Sequence, residues 1–114
     1  MVTRYIPDAG DVIWVDFSPT QGHEQSGRRP AVVVSVRSYT KASGLCTACP
    51  ITSHAKGYAN EVACNTKSVQ GVVLIDQFKT FDVDARKLVR AGKISPAVLR
   101  DIRTRIGLIL GVTT

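Results

Sequence analysis

Two periodicities divide the chain. Up to residue 91, apolar residues come in short β-branched runs between turn signals, and from Ser95 they recur at helical spacing. Val12-Ile13-Trp14-Val15, continued by Phe17, predicts a first strand set off by Asp8-Ala9-Gly10. Ala31 to Val36 predicts a second, because its β-branched density favours strand over helix. Leu45 to Ile51, Glu61 to Ala63, Gly71 to Phe78 and Leu88 to Ala91 complete the series. Strands at this spacing predict a small barrel, whose closure removes exposed sheet edges. Ser95 suits a helix N-cap and Pro96 the first helical position. Val98, Leu99, Ile102, Ile106, Ile109 and Leu110 then give one apolar face, which would pack on the barrel or on another subunit. The expected architecture is mainly β with a C-terminal helix.

Length and composition narrow the class. With 114 residues, 44% of them hydrophobic and 21% charged, the chain reads as a single globular domain spanning 1–114. No run approaches the roughly 18 uncharged apolar residues of a membrane helix. Met1 to Asp8 lacks the apolar core and cleavage site of a signal peptide. A cytoplasmic protein with no membrane partner is expected. The three cysteines, Cys46, Cys49 and Cys64, are an odd number, which argues against a closed disulfide framework. Cys46 and Cys49 form a Cys-x-x-Cys pair, but within an apolar run and without a second pair, so buried thiols packing as small hydrophobes are the better reading.

Charge matters once it is located. The net +6 gathers from Lys79 to Arg105, where eight basic and three acidic residues give +5, leaving +1 for residues 1–78. A basic C-terminal third suggests a polyanion or an acidic protein partner, or simply a solvated basic face. The connection from Ser18 to Arg29 is long for a strand-to-strand loop and carries its ionisable groups at its far end. Such loops tend to be functional.

Several blocks, in order, resemble one family. Gly10-Asp11-Val12-Ile13-Trp14-Val15-Asp16-Phe17-Ser18-Pro19 is similar to the opening block of the MazF/PemK toxins. Gly22-His23-Glu24-Gln25-Ser26-Gly27-Arg28-Arg29-Pro30-Ala31-Val32-Val33 resembles their Arg-Pro signature, Pro50-Ile51-Thr52-Ser53 their Pro-x-Thr segment, and Gly71 to Thr80 their Asp-Gln strand. The resemblance, very close to the MazF branch, implies the SH3-like small barrel of the MazF/PemK/CcdB toxin type, usually a homodimer. It also implies the toxin of a type II toxin–antitoxin system: an endoribonuclease (mRNA interferase) cleaving single-stranded mRNA at specific sequences, inhibited by a cognate MazE-like acidic antitoxin. Neither a metal nor a cofactor is expected.

Cleavage without a metal would use the RNA's own 2′-hydroxyl, leaving a 2′,3′-cyclic phosphate and a 5′-hydroxyl. It requires removal of that proton, stabilisation of the phosphorane and protonation of the leaving oxygen. By resemblance, Arg29 and Thr52 are catalytic. The Arg29 guanidinium can hold two phosphate oxygens but stays protonated, so Glu24 is the physically easier base. The residues alone leave another reading open, in which Glu24 and Arg29 form a surface ion pair and the Thr52 hydroxyl caps its own backbone. His23 reads as a solvated loop residue, and His54 as a group at the site rim. Lys56, Lys79, Ser53, Tyr58, Asp76 and Gln77 are candidate RNA contacts, the last two able to read a base edge. Tyr39 is a further stacking candidate, whereas Trp14 reads as core. The alternative function is a non-enzymatic toxin on the same fold that poisons a protein target such as gyrase; a plain RNA-binding barrel is a third.

Overall fold

A computed structural model describes residues 4–16 and 28–112 of the chain. Within them the order is β1 Asp11–Asp16, β2 Arg28–Val33, α1 Arg37–Ser43, β3 Leu45–Thr52, β4 Glu61–Asn65, β5 Gln70–Leu74, a 3-10 turn Ile75–Gln77, β6 Lys79–Asp82, β7 Val89–Lys93 and α2 Pro96–Leu110. The strands form one curled antiparallel sheet in the order β4-β5-β3-β2-β1-β7, with β6 paired to β3. The fold is mainly β with a C-terminal helix, as expected.

The eight-residue β3 organises the sheet. One edge of β3 pairs with β2, setting Ala31 opposite Pro50. Its other side is divided: Leu45 to Ala48 pair with β6, and Ile51 and Thr52 pair with β5. Pro50 has no N–H to give and sits near the handover between those two partners, where a ladder can spare a donor.

Alternating side chains build a core on each face of the sheet. One contains Val12, Val32, Cys49, Ile51, Val73, Ile75 and Ile102, with Val98, Leu99 and Ile106 of α2 packed against it. The other gathers Ile13, Val15, Ala31, Val33, Cys46, Ala48 and Phe81. The Ser95 hydroxyl accepts the Val98 N–H at 3.2 Å, and Gly111 at φ +76° ends the helix, so the capping expected from the sequence is present. Only the first turns of α2 are covered, however. Leu108, Ile109 and Leu110 are 68%, 44% and 61% exposed, so the predicted apolar face runs beyond the sheet it packs on.

Three expectations need correction. The predicted strand from Gly71 to Phe78 is interrupted by the 3-10 turn, and its end belongs to the separate β6. The predicted second strand stops at Val33 rather than Val36. Helix α1 was not anticipated: it buries only Thr40 and has no side-chain cap of its own. The Asp8 carboxylate supplies that service from the N-terminal segment, accepting the Arg37 N–H at 2.9 Å. Slight burial pushes the Asp8 pKa upward, but the N–H groups of Arg37 and Ala9 outweigh it and hold the carboxyl below its ordinary range. The buried Asp11 carboxylate ties the same segment to β1 through the Tyr5 hydroxyl at 2.6 Å and the Asp8 N–H at 3.0 Å.

Cys46 and Cys49 lie three residues apart on β3, which sends their side chains to opposite faces. All three cysteines are free and buried, and burial pushes Cys46 up to about 11 and Cys49 up to about 12. Native protein at pH 8 is therefore expected to react slowly with a disulfide reagent, and all three thiols to react promptly in denaturant. Rapid native labelling of Cys46 or Cys49 would contradict this packing. Ile102 is fully buried between α2 and the sheet. Ile102→Ala is expected to lower unfolding free energy by about 2–5 kcal/mol, read by urea denaturation.

Candidate functional site

Arg29 and Thr52 reach one place through strand pairing. Ala31 faces Pro50 across the antiparallel β2–β3 ladder, which brings the start of β2, with Arg29, toward the end of β3, with Thr52. Arg29 also pairs with Val15, which fixes it from the β1 side. Both residues line an open cleft of about 680 Å³ at the end of these strands, together with Arg28, Ser53, His54 and Trp14. Ser68 and Val69 from the turn between β4 and β5, and Gln70 at the start of β5, complete the lining. Among the described residues, its lining carries two arginines and no carboxylate.

The Thr52 hydroxyl is oriented by its own strand end. Its oxygen accepts the His54 N–H at 3.1 Å, so the backbone-capping role left open by the sequence is present. That bond does not exhaust the group. A hydroxyl has one O–H to donate besides the lone pairs that accept, so Thr52 can still offer a proton into the cleft.

A second cleft, of about 470 Å³, adjoins the first and shares Thr52 and His54 with it. Lys56, Tyr58, Asp76 and Gln77 line it, with Asn60, Glu61 and Leu74. Four of the candidate contacts thus meet in one groove and Ser53 in the other. Lys79 is different: it stands on β6 opposite Ala48 and borders neither cleft. Tyr39 lies on α1, likewise away from both. Glu24 and His23 lie outside the described residues.

The mixed charge of the second cleft contrasts with the arginines of the first. Among the described residues, no three of His, Cys, Asp and Glu are grouped so as to hold a metal ion. No helix among the described residues is long and apolar enough to cross a membrane.

Residues 8–110 match the family described as PemK-like, MazF-like toxin of type II toxin-antitoxin system. The chain belongs to this family. It is 44% identical over 111 residues to the endoribonuclease toxin MazF of Escherichia coli (strain K12), covering 97% of this chain and 100% of that protein. A crystal structure of MazF from Deinococcus radiodurans is 43% identical with a TM-score of 0.84, over 96% of this chain and 100% of that one. A MazE-MazF crystal structure from the same organism contains a chain 42% identical with a TM-score of 0.89, over the same shares. The curled sheet and closing helix are therefore the SH3-like small barrel of the MazF/PemK type.

Two features of this MazF-like site were not visible in the sequence. Trp14 packs against the core but also borders the arginine cleft, so it is both a core residue and a wall. Arg28, Ser68 and Gln70 carried no separate signal beyond the basic pair in which Arg28 stands. The charge count along the chain also does not show what each cation touches. Several C-terminal cations bind the protein itself: Arg103 donates to the Val34 carbonyl at 2.9 Å, Arg105 to the Ala59 carbonyl, and Arg90 lies 3.6 Å from buried Asp11. The arginines of the cleft come instead from the N-terminal half.

Gly71 controls how closely β5 approaches Thr52. A Cβ at that position would overlap the Thr52 carbonyl oxygen and press on the Ile51 side chain. Gly71→Ala is expected to cost about 1–3 kcal/mol of stability. It should also shift the backbone amide resonances of Thr52 and His54, and unchanged resonances in a fully stable variant would contradict the close approach.

Proposed function

We propose that this chain is a metal-independent endoribonuclease toxin that cuts single-stranded mRNA at specific sequences. The observation that carries the proposal is that Arg29 and Thr52 border one cleft together with a second arginine, where β2 begins and β3 ends. An RNA phosphate suits such a place: a planar guanidinium can hold two of its oxygens, and the Thr52 O–H can donate to a non-bridging one. As the 2′-hydroxyl attacks phosphorus, negative charge grows on those oxygens, and fixed donors that meet it there lower the barrier. Glu24, from the signature loop, is the base assigned to the 2′-hydroxyl proton. The products would be a 2′,3′-cyclic phosphate and a 5′-hydroxyl. DNA lacks the attacking group and would not be cut.

The adjoining cleft suits a base rather than a phosphate. Asp76, Gln77 and Asn60 offer acceptors and amide donors for a base edge, and exposed Tyr58 a ring on which a base can stack. Two further partners follow from the family. A MazE-like acidic antitoxin would compete with RNA for the arginine cleft; the D. radiodurans relative is found in a MazE-MazF crystal structure. A second copy would cover the exposed Leu108, Ile109, Leu110 and Val112 at the end of α2, burying an apolar surface that the monomer leaves in water.

The test is incubation of mixed-sequence single-stranded RNA with wild type and variants in EDTA, with the cut ends mapped. Wild type is expected to leave cyclic-phosphate and 5′-hydroxyl ends. Arg29→Ala should lower the rate by about 10²–10³-fold, the usual scale for losing one transition-state donor. Thr52→Val should lower it more than Thr52→Ser, which keeps the hydroxyl. Intact RNA from folded, antitoxin-free wild type would overturn the proposal in favour of a toxin that poisons a protein target.

A further inference from the structure

The segment from Ser53 to Asn60 forms one wall of the second cleft and belongs to no helix or strand. Its main chain is nonetheless held at several points. The Glu61 carboxylate accepts the Lys56 N–H at 3.0 and 3.2 Å and the Gly57 N–H at 2.9 Å. Successive backbone N–H groups converging on one anion make a compact, charge-assisted clasp. Gly57 has φ +77°, a left-handed conformation that glycine adopts without steric cost. The Tyr58 carbonyl accepts the Glu61 N–H at 3.2 Å, and the Asn60 carbonyl accepts the Ile75 N–H at 2.9 Å. From the other side, Arg105 of α2 donates to the Ala59 carbonyl while its Nε is steadied by Asp101 at 2.9 Å. The side chains that line the cleft, Lys56, Tyr58 and Asn60, therefore project from a fixed frame.

We propose that Glu61 and Arg105 are positioning residues for sequence specificity, holding the 53–60 loop in the one shape that admits the preferred base. The inference rests on the ribonuclease reading. Glu61 lines the cleft, yet both of its oxygens are engaged by loop N–H groups, so it acts through the loop rather than by reading a base. Arg105 does not border the cleft and reaches it only through Ala59. Neither residue borders the cleft that holds Arg29. Loosening the loop should therefore degrade selection and binding more than the chemical step.

The experiment compares wild type with Glu61→Gln, Arg105→Ala and Arg105→Lys on a randomised single-stranded RNA pool, then measures kcat and KM on the preferred site. Glu61→Gln places an NH₂ donor where a carboxylate oxygen took an N–H, so one clasp is lost and a donor opposes a donor. Preference at the read position is expected to relax by about tenfold, with KM rising by a larger factor than kcat falls. Arg105→Ala should behave similarly, and Arg105→Lys should recover part of the preference. Variants that keep wild-type selectivity, or that lose kcat equally at every site, would overturn the proposal. Amide hydrogen exchange at Lys56 and Gly57 supplies a readout independent of cleavage. Faster exchange in Glu61→Gln with an unchanged Tm supports the clasp, and unchanged exchange overturns it. Wild type that cuts no RNA would overturn the ribonuclease reading itself, while the exchange data would still decide whether Glu61 holds the loop.

Discussion

Strand β3 must serve three partners at once. β2 takes one edge, and β6 and β5 divide the other between them. A strand shared in this way cannot stay flat, because the two elements on its divided side leave in different directions. The sheet curls, a core forms on each face, and the end of β3 is delivered to the junction of two clefts. Pro50 near the handover and Gly71 at the closest approach are the local concessions that let this happen. Each gives up something ordinary, an N–H in one case and a side chain in the other, at a place where the geometry has no room for it.

Much of this was legible in the chain, and the exceptions share a cause. The alternating runs around Val12, Val32 and Cys49 and the capped helix after Ser95 depend on local pattern, and local pattern revealed them. Helix α1 depends on a carboxylate at Asp8, many residues upstream, and no window of sequence contains both partners. The break at Ile75–Gln77 falls where the apolar run from Val72 to Ile75 gives way to Asp76 and Gln77, because the chain must leave β5 and return to β3 as β6. Phe81 alone is buried in that strand, too little to announce it by alternation.

The candidate site divides along the same line. Arg29 and Thr52 were named from their motifs, and the antiparallel pairing of β2 with β3 explains how two residues so far apart in sequence border one cleft. The basic C-terminal third did not by itself locate the cleft, since a count of charges cannot tell a guanidinium that faces solvent from one that ties down a carbonyl. Trp14 shows the converse: an apolar strand residue whose flank borders a functional cleft while its body stays in the core.

The wall made by Thr52 and His54 belongs to both clefts, and it is short and held in place by one hydrogen bond, from the His54 N–H to the Thr52 hydroxyl. On the proposed reading this turns the fold into a ruler. A base seated on one side of the wall fixes which phosphodiester lies on the other, so the offset between the letter read and the bond broken is set by strand geometry. Loops around the second cleft can then diversify, changing the word recognised, while the position of the cut within it stays constant.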